Sequence, residues 1–264
     1  MMRKWFQKYN QVFFAFAWFM TGILFMLAIG ASSSMQENRL CSGVEVMIDN
    51  EAGNYFVNEE DVEKLIARQL PNDNFDLPIK FIPLQELEDT LESNPYIENA
   101  ELYIDINGKL WAEIRQKYPL IRVINNDNQA YYISREGEKM PISLDFTARV
   151  PVASGSIYDN GSMKGNMYGP VTRSLYLLAE YIDSNPFWKS QVEQIYVEKN
   201  GDISIIPKVG EHEIVFGKLE TMQDIKNKFE LLMSFYKNGL SSVGWNVYKE
   251  INLKYKNQIV CTKK

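Results

Sequence analysis

His212 is the one histidine in the sequence of 264 residues, and it stands between two carboxylates, Glu211 and Glu213. This spacing could serve a metal-bound histidine or a general base. Catalytic zinc usually takes three protein ligands, however, and a serine or cysteine nucleophile needs a base that a third group orients. A single histidine in a polar hairpin turn supplies neither arrangement. We therefore predict no catalytic residue and no metal site.

Other acidic and glycine-containing segments do not form a ligand-binding motif either. Glu59 and Glu60 begin a predicted helix, where the helix dipole explains them better than glycosidase chemistry does. The acidic segment of residues 73–76 is too short for a calcium loop. The loop from Asp159 to Pro170 lacks the Gly-Lys-Ser/Thr arrangement of a phosphate-binding loop. We expect no cofactor.

Charge and cysteine content exclude further classes of protein. The net charge is −6, and lysine and arginine are scattered among the acids, whereas nucleic-acid binding needs a concentrated basic face. We therefore predict no nucleic-acid partner. The two cysteines, Cys41 and Cys261, make neither a disulfide-dense scaffold nor a zinc site. Two free thiols are the expected state, and one bridge between them is the alternative.

The N-terminal segment Val12–Ala31 contains no charged residue. About 20 helical residues, each rising about 1.5 Å, span the hydrocarbon core of a bilayer. Arg3, Lys4 and Lys8 precede this segment, and they predict a cytoplasmic N-terminus with the large C-terminal part on the other side. A cleaved signal peptide is the alternative. Its apolar region is typically shorter, so we expect a retained membrane anchor.

The next segment predicts elements in the order β-α-α-β-β. A strand with alternating apolar residues begins at Val44, and Asn58 can cap the helix that comes next. A second helix begins after Pro83 and ends at Asn94-Pro95, because a residue before proline is pushed out of the α region.

The last two strands of this unit form a predicted hairpin. They are joined at Asn107-Gly108, and both residues tolerate the positive φ of a type I′ turn. We expect one face of the hairpin to be buried and the other to be free for water or a partner. The predicted buried set is Ala100, Leu102, Ile104, Ile106, Leu110, Ala112 and Ile114.

This unit resembles the POTRA domain of the bacterial cell-division family FtsQ/DivIB. The resemblance lies in Phe56-Val57-Asn58, Asn94-Pro95-Tyr96-Ile97-Glu98-Asn99-Ala100 and Ile114-Arg115-Gln116-Lys117-Tyr118-Pro119. POTRA domains also precede outer-membrane β-barrels, but the sequence has no series of alternating strands long enough to form a barrel. The predicted organisation is a cytoplasmic tail (1–11), a transmembrane helix (12–31), a linker (32–43), a POTRA domain (44–118) and an FtsQ-type β domain (119–264).

The second unit combines short strands with helices. Strands at Ile121–Ile124 and Tyr131–Ile133 flank a polar turn, and the resemblance implies that Thr147–Val152 is the next strand. Helical apolar spacing extends from Leu175 to Ile182, and Asn200-Gly201 predicts a second hairpin. A final helix is predicted to stop at Asn238-Gly239, where glycine can adopt a left-handed conformation. The predicted fold class is α+β, with a transmembrane helix, a POTRA domain and a mixed, β-rich domain that has two or more helices.

The last segment, from Tyr248 to Cys261, alternates apolar and polar residues and predicts a terminal strand at a sheet edge. An edge strand has unpaired backbone groups that can accept a strand from another chain. FtsQ-like proteins receive FtsB beside their last strands, so the resemblance places the partner site here. The candidate residues are Tyr248, Lys254, Tyr255, Lys256, Asn257, Gln258 and Ile259. Lys254 and Lys256 suit an acidic partner segment, and the alternative is that Tyr255 is core and the edge is covered.

The resemblance implies a non-enzymatic scaffold of the cell-division complex, held in the inner membrane by one helix with its soluble domains in the periplasm at the septum. Such a scaffold joins FtsB- and FtsL-like proteins, and also FtsK-, FtsW- and FtsI-like ones, and helps to control septal peptidoglycan synthesis. The alternatives are a barrel-less POTRA chaperone or secretion adaptor and a membrane-tethered cell-wall enzyme.

Overall fold

A computed structural model describes residues 18–27, 39–50, 53–71, 74–158 and 169–264. Of the predicted span Val12–Ala31, only residues 18–27 are described; they are helical, and their exposed side chains include Trp18 and Met26. The rest of the span, the predicted cytoplasmic tail and residues 32–38 and 159–168 lie outside the described residues. No helix in the described part of the chain is both long enough and apolar enough to cross a bilayer.

The chain divides into two compact units. The first contains, in chain order, β1 (Val44–Asp49), α1 (Glu59–Gln69), α2 (Leu84–Glu92) and most of β2 (Ile97–Ile104) and β3 (Leu110–Gln116), with a short 3₁₀ turn at Ile79–Phe81. This arrangement confirms the predicted β-α-α-β-β order. The three strands form a sheet in the order β1-β3-β2.

The first helix begins at the predicted cap, and its predicted apolar residues are buried. The Asn58 side chain accepts a hydrogen bond from the Asp61 amide at 2.9 Å, and the Asp61 carboxylate accepts one from the Asn58 amide at 3.4 Å. This reciprocal arrangement is a capping box, which satisfies amide groups that the first helical turn leaves without partners. Val62 and Ile66 on α1 and Leu87 and Leu91 on α2 are buried.

The hairpin between β2 and β3 corrects two sequence predictions. The turn runs from Asp105 to Lys109, and Gly108 has a φ of +84° while Asn107 does not have a positive φ. A type I′ turn needs positive φ at both central residues, so the predicted turn type is wrong. The observed turn holds one more residue, β2 therefore ends at Ile104, and Ile106 is 80% exposed instead of buried. Ile104 is half-buried.

Four hairpin turns in the described residues share this geometry. In each, the amide of the first residue donates to the carbonyl of the fifth, and the carbonyl of the first accepts from the amide of the fourth. The fourth residue always has a positive φ: Gly108 (84°), Asn128 (58°), Gly137 (78°) and Gly201 (82°). The pattern is a turn that ends in a left-handed residue, a conformation that glycine and asparagine adopt at low cost.

The second unit is built on a nine-stranded mixed sheet in the order β12-β11-β10-β9-β8-β7-β4-β5-β6. The pairs β4·β7, β7·β8 and β10·β11 are parallel and the others are antiparallel. The strands are β4 (Pro119–Ile124), β5 (Ala130–Ser134), β6 (Lys139–Pro141), β7 (Val152–Gly155), β8 (Val192–Val197), β9 (Ile203–Pro207), β10 (Glu213–Gly217), β11 (Tyr248–Asn252) and β12 (Val260–Lys263). The predicted strand at Thr147–Val152 is wrong, because the strand begins at Val152.

Helices cover one face of this sheet. They are α3 (Pro170–Ser184), α4 (Pro186–Gln191) and α5 (Met222–Phe235). Their buried side chains, among them Leu175, Trp188 and Phe229, form one apolar core with Ile195 and Phe216 from the strands. A POTRA-type unit and a mixed sheet with several helices match the predicted fold class, apart from the transmembrane helix.

The last helix extends further than its sequence predicts. After α5 the chain forms a π-helical turn at Tyr236–Leu240 and a short helix, α6 (Ser241–Val243). The residue in the left-handed region is Gly244, with a φ of +96°, so the predicted stop at Gly239 is wrong. Tyr236 and Leu240 are buried, and their contribution to the core keeps the chain helical through the glycine.

Candidate functional site

The two edges of the nine-stranded sheet are β6 and β12, and they differ in how they meet solvent. β6 is three residues long and carries Lys139 and Pro141. A short strand with lysine and proline is a common way to prevent another strand from pairing. β12 carries no proline and is paired on one side only, with β11.

The outward side of β12 can be assigned from its hydrogen bonds. The Lys264 amide donates to the Val247 carbonyl at 3.2 Å, on the side of β11. Because backbone groups of a strand alternate in direction, the amides of Val260 and Thr262 face β11 and those of Cys261 and Lys263 face outward. No side chain in the described residues donates or accepts a hydrogen bond on the backbone of β12. Among the described residues, the outward backbone groups of Cys261 and Lys263 have no hydrogen-bond partner.

The side chains of β12 alternate between the core face and the open face of the sheet. Cys261 pairs with the buried Ile251 and is half-buried against the core. Val260 is 48% exposed and lies opposite Asn252. Burial raises the pKa of the Cys261 thiol. Cys41 and Cys261 are both free thiols in the structure.

The predicted site residues occupy two places. The segment Tyr248–Cys261 is not one strand, because a turn separates β11 from β12. Lys254, Tyr255, Lys256, Asn257 and Gln258 are exposed residues of this turn, and Ile259 is half-buried beside the core. Tyr248 lies at the opposite end of the strand pair, where it faces Lys263.

Two details of this turn change the roles expected for its residues. Lys254 binds Asp202 of the same unit, with Nζ and Oδ2 2.6 Å apart, and this hydrogen bond raises the pKa of the lysine. Lys254 is thus already paired within its own unit. Tyr255 is 58% exposed, so the alternative in which Tyr255 belongs to the core is wrong. Asn257 has a φ of +57°, a conformation that marks a turn.

The edge itself is formed by Cys261, Thr262 and Lys263. None of these three is among the candidate residues predicted from the sequence, although Cys261 is the last residue of the predicted terminal strand. A weak signal for them was present, because asparagine is one of the few residues that adopt a positive φ in a turn. Asn257-Gln258 could therefore have indicated a turn and a new strand after it.

His212 lies in the turn between β9 and β10, as predicted, but its side chain is buried. The residue is only 2% exposed, and its Nε2 atom is 3.2 Å from the hydroxyl of Tyr236. Burial lowers the pKa of His212 and raises that of Tyr236. Within the described residues, no three His, Cys, Asp or Glu side chains are grouped as metal ligands.

Comparison with family models shows which protein family the chain belongs to. Residues 118–262 match the FtsQ/DivIB, C-terminal related family, and this match spans more than half of the 264 residues. The chain belongs to the FtsQ/DivIB family. Residues 39–115 match the POTRA-like domain. A comparison with curated proteins gives no match. The FtsQ/DivIB match includes β11 and most of β12, so the edge strand lies within the family domain.

Proposed function

We propose that this FtsQ/DivIB protein is a non-enzymatic scaffold of the bacterial cell-division complex, which binds an extended segment of a partner at the edge strand β12. The observation that carries this proposal is the open outer side of β12 in a domain of this family. An edge strand binds a partner through its backbone, while neighbouring side chains select the sequence.

The outward backbone groups of Cys261 and Lys263 would pair with the partner strand. On the open face, Val260 offers apolar contact, and it continues a row of register partners through Asn252 and Val215. Lys256 is an exposed lysine in the turn before β12, and Lys263 is an exposed lysine at the end of β12. These charges favour an acidic segment, so we propose an FtsB- or FtsL-like division protein as the partner.

We also propose that the scaffold is held in the inner membrane through Val12–Ala31, with both folded units in the periplasm at the septum. The uncharged span, the basic residues before it and the exposed apolar side chains of residues 18–27 support this anchor. Cysteine labelling in intact cells tests the topology. Reagents that do not cross the inner membrane should label a cysteine introduced at Tyr255, and protection of that cysteine would contradict the proposal.

Depletion of the protein in its native bacterium tests the cellular role. We expect filaments without septa, and we expect rescue by wild-type protein and by a Lys263→Ala variant, which keeps the backbone of β12. Lys263→Pro removes an outward amide and should not rescue. Loss of outer-membrane proteins with normal septa would instead favour a POTRA chaperone or secretion adaptor and would overturn the proposal.

A further inference from the structure

The small sheet of the first unit has an edge strand, β2, whose outward side carries side-chain hydrogen bonds. The Asp105 amide donates to the Lys109 carbonyl at 3.0 Å and closes the hairpin. By alternation, the backbone groups of Glu101 and Tyr103 face β3, and those of Ala100 and Leu102 face away from it. The stacked rings of Tyr103 and Trp111, with centroids 6.4 Å apart, agree with this register.

Two carboxylates from helix α2 accept hydrogen bonds from these outward amides. Glu88 Oε1 accepts a hydrogen bond from the Leu102 amide at 2.7 Å, and Glu92 Oε1 accepts one from the Ala100 amide at 3.2 Å. Glu92 Oε1 also accepts from the Asn99 side chain at 3.3 Å. Glu88 and Glu92 are four residues apart on the helix, and so they lie on one face of it.

We infer that Glu88 and Glu92 are specificity-determining residues that close the β2 edge to strand addition. Each carboxylate occupies the position that a carbonyl oxygen of an incoming strand would need. A hydrogen bond to a charged acceptor is also stronger than one to a neutral carbonyl, so an added strand would replace a stronger bond with a weaker one. The inference rests on the proposed function in one respect: it explains why a partner strand selects β12 over β2.

The alternative explanation of these contacts is that they only fix α2 against the sheet. The two explanations predict different results for a protein that lacks the carboxylates. If they only fix the helix, their loss lowers stability and leaves the protein monomeric. If they close the edge, their loss exposes two outward amides on a strand that can pair with a second copy of itself.

The test uses the full-length protein in detergent with the double substitution Glu88→Ala/Glu92→Ala. The matched control is Glu86→Ala/Asp89→Ala, which removes the same charge from the same helix but leaves the carboxylates at the β2 edge in place. Sedimentation should show a dimer of the first variant at protein concentrations where wild type and control are monomeric. Hydrogen exchange should then show residues 97–104 becoming more protected as the concentration rises.

Monomeric Glu88→Ala/Glu92→Ala protein with concentration-independent exchange in residues 97–104 would overturn the inference. Circular dichroism establishes that the variant is folded. If the double variant unfolds, Glu92→Ala alone, which frees the Ala100 amide but leaves Glu88 on the Leu102 amide, should show the same dimer at higher concentration, and a monomer would again contradict us. The proposed partner site at β12 is tested separately, with Lys263→Pro. Failure of that test would leave the dimerisation result for the β2 edge unchanged.

Discussion

Ile106 and Ile114 lie on the same hairpin but differ in burial, with 80% and 2% of the residue surface exposed. The same substitution at both positions therefore measures the value of burial. Ile114→Ala should lower the free energy of unfolding by about 2–5 kcal/mol, because it leaves a cavity in the core of the first unit. Ile106→Ala should change it by less than about 0.5 kcal/mol, as at surface sites generally. Denaturant unfolding measures both, and equal losses would show that the hairpin faces are assigned wrongly.

Burial of His212 makes the stability of the second unit depend on pH. Burial lowers the pKa of His212 below its ordinary value of 6.5. The unfolded chain therefore binds a proton below about pH 6.5 that the folded chain takes up only at lower pH, and the free energy of unfolding falls over this window as the pH falls.

The single histidine allows a clean test of this linkage. Between about pH 7.5 and pH 5.5, wild type should lose more unfolding free energy than His212→Gln, because only wild type has the histidine. The carboxyl groups are the same in both proteins, so their contribution cancels in the comparison. Equal losses in the two proteins would mean that the folded and unfolded chains protonate His212 at the same pH.

At the scale of elements, the four similar hairpin turns depend on one left-handed residue each. A Cβ atom at Gly201 would meet nothing within 4 Å, so a substitution there tests the backbone conformation alone. Gly201→Ala should cost about 1–2 kcal/mol. Gly201→Asn should cost less, because Asn128 holds the equivalent position at a φ of 58°. Thermal unfolding compares the two variants, and an alanine variant as stable as wild type would contradict the assignment.

The elements also show which features the sequence can and cannot predict. Periodicity and capping predicted α1, α2 and the order β-α-α-β-β correctly, because these signals are local and Asn58 and Asp61 satisfy each other within one turn. The turn at Asn107-Gly108 was assigned one residue too short, since a dipeptide does not determine how many residues a turn contains. The helix stop at Gly239 failed because burial of Tyr236 and Leu240 continues the helix past a residue that locally favours an end.

At the scale of the whole molecule, the candidate residues predicted from the sequence lie mainly in the turn beside β12, whereas the proposed pairing groups lie on β12 itself. The sequence indicated a terminal strand, but pairing partners are not encoded locally and only the sheet order identifies β12 as the edge. A proline at Asn257 or Gln258 would mainly disturb the turn and not the edge. Proline requires a φ near −65°, and Asn257 has +57°.

The most direct test of the scaffold function is binding of a soluble FtsB-like partner segment to the full-length protein, measured by calorimetry for wild type, Lys263→Ala and Lys263→Pro. Only the proline removes the outward amide of Lys263, and the inward hydrogen bonds of Thr262 and Lys264 remain in both variants. We predict that Lys263→Ala binds within a few-fold of wild type and that Lys263→Pro, with an unchanged unfolding temperature, loses binding. Wild-type affinity in a folded Lys263→Pro variant would contradict strand addition at β12.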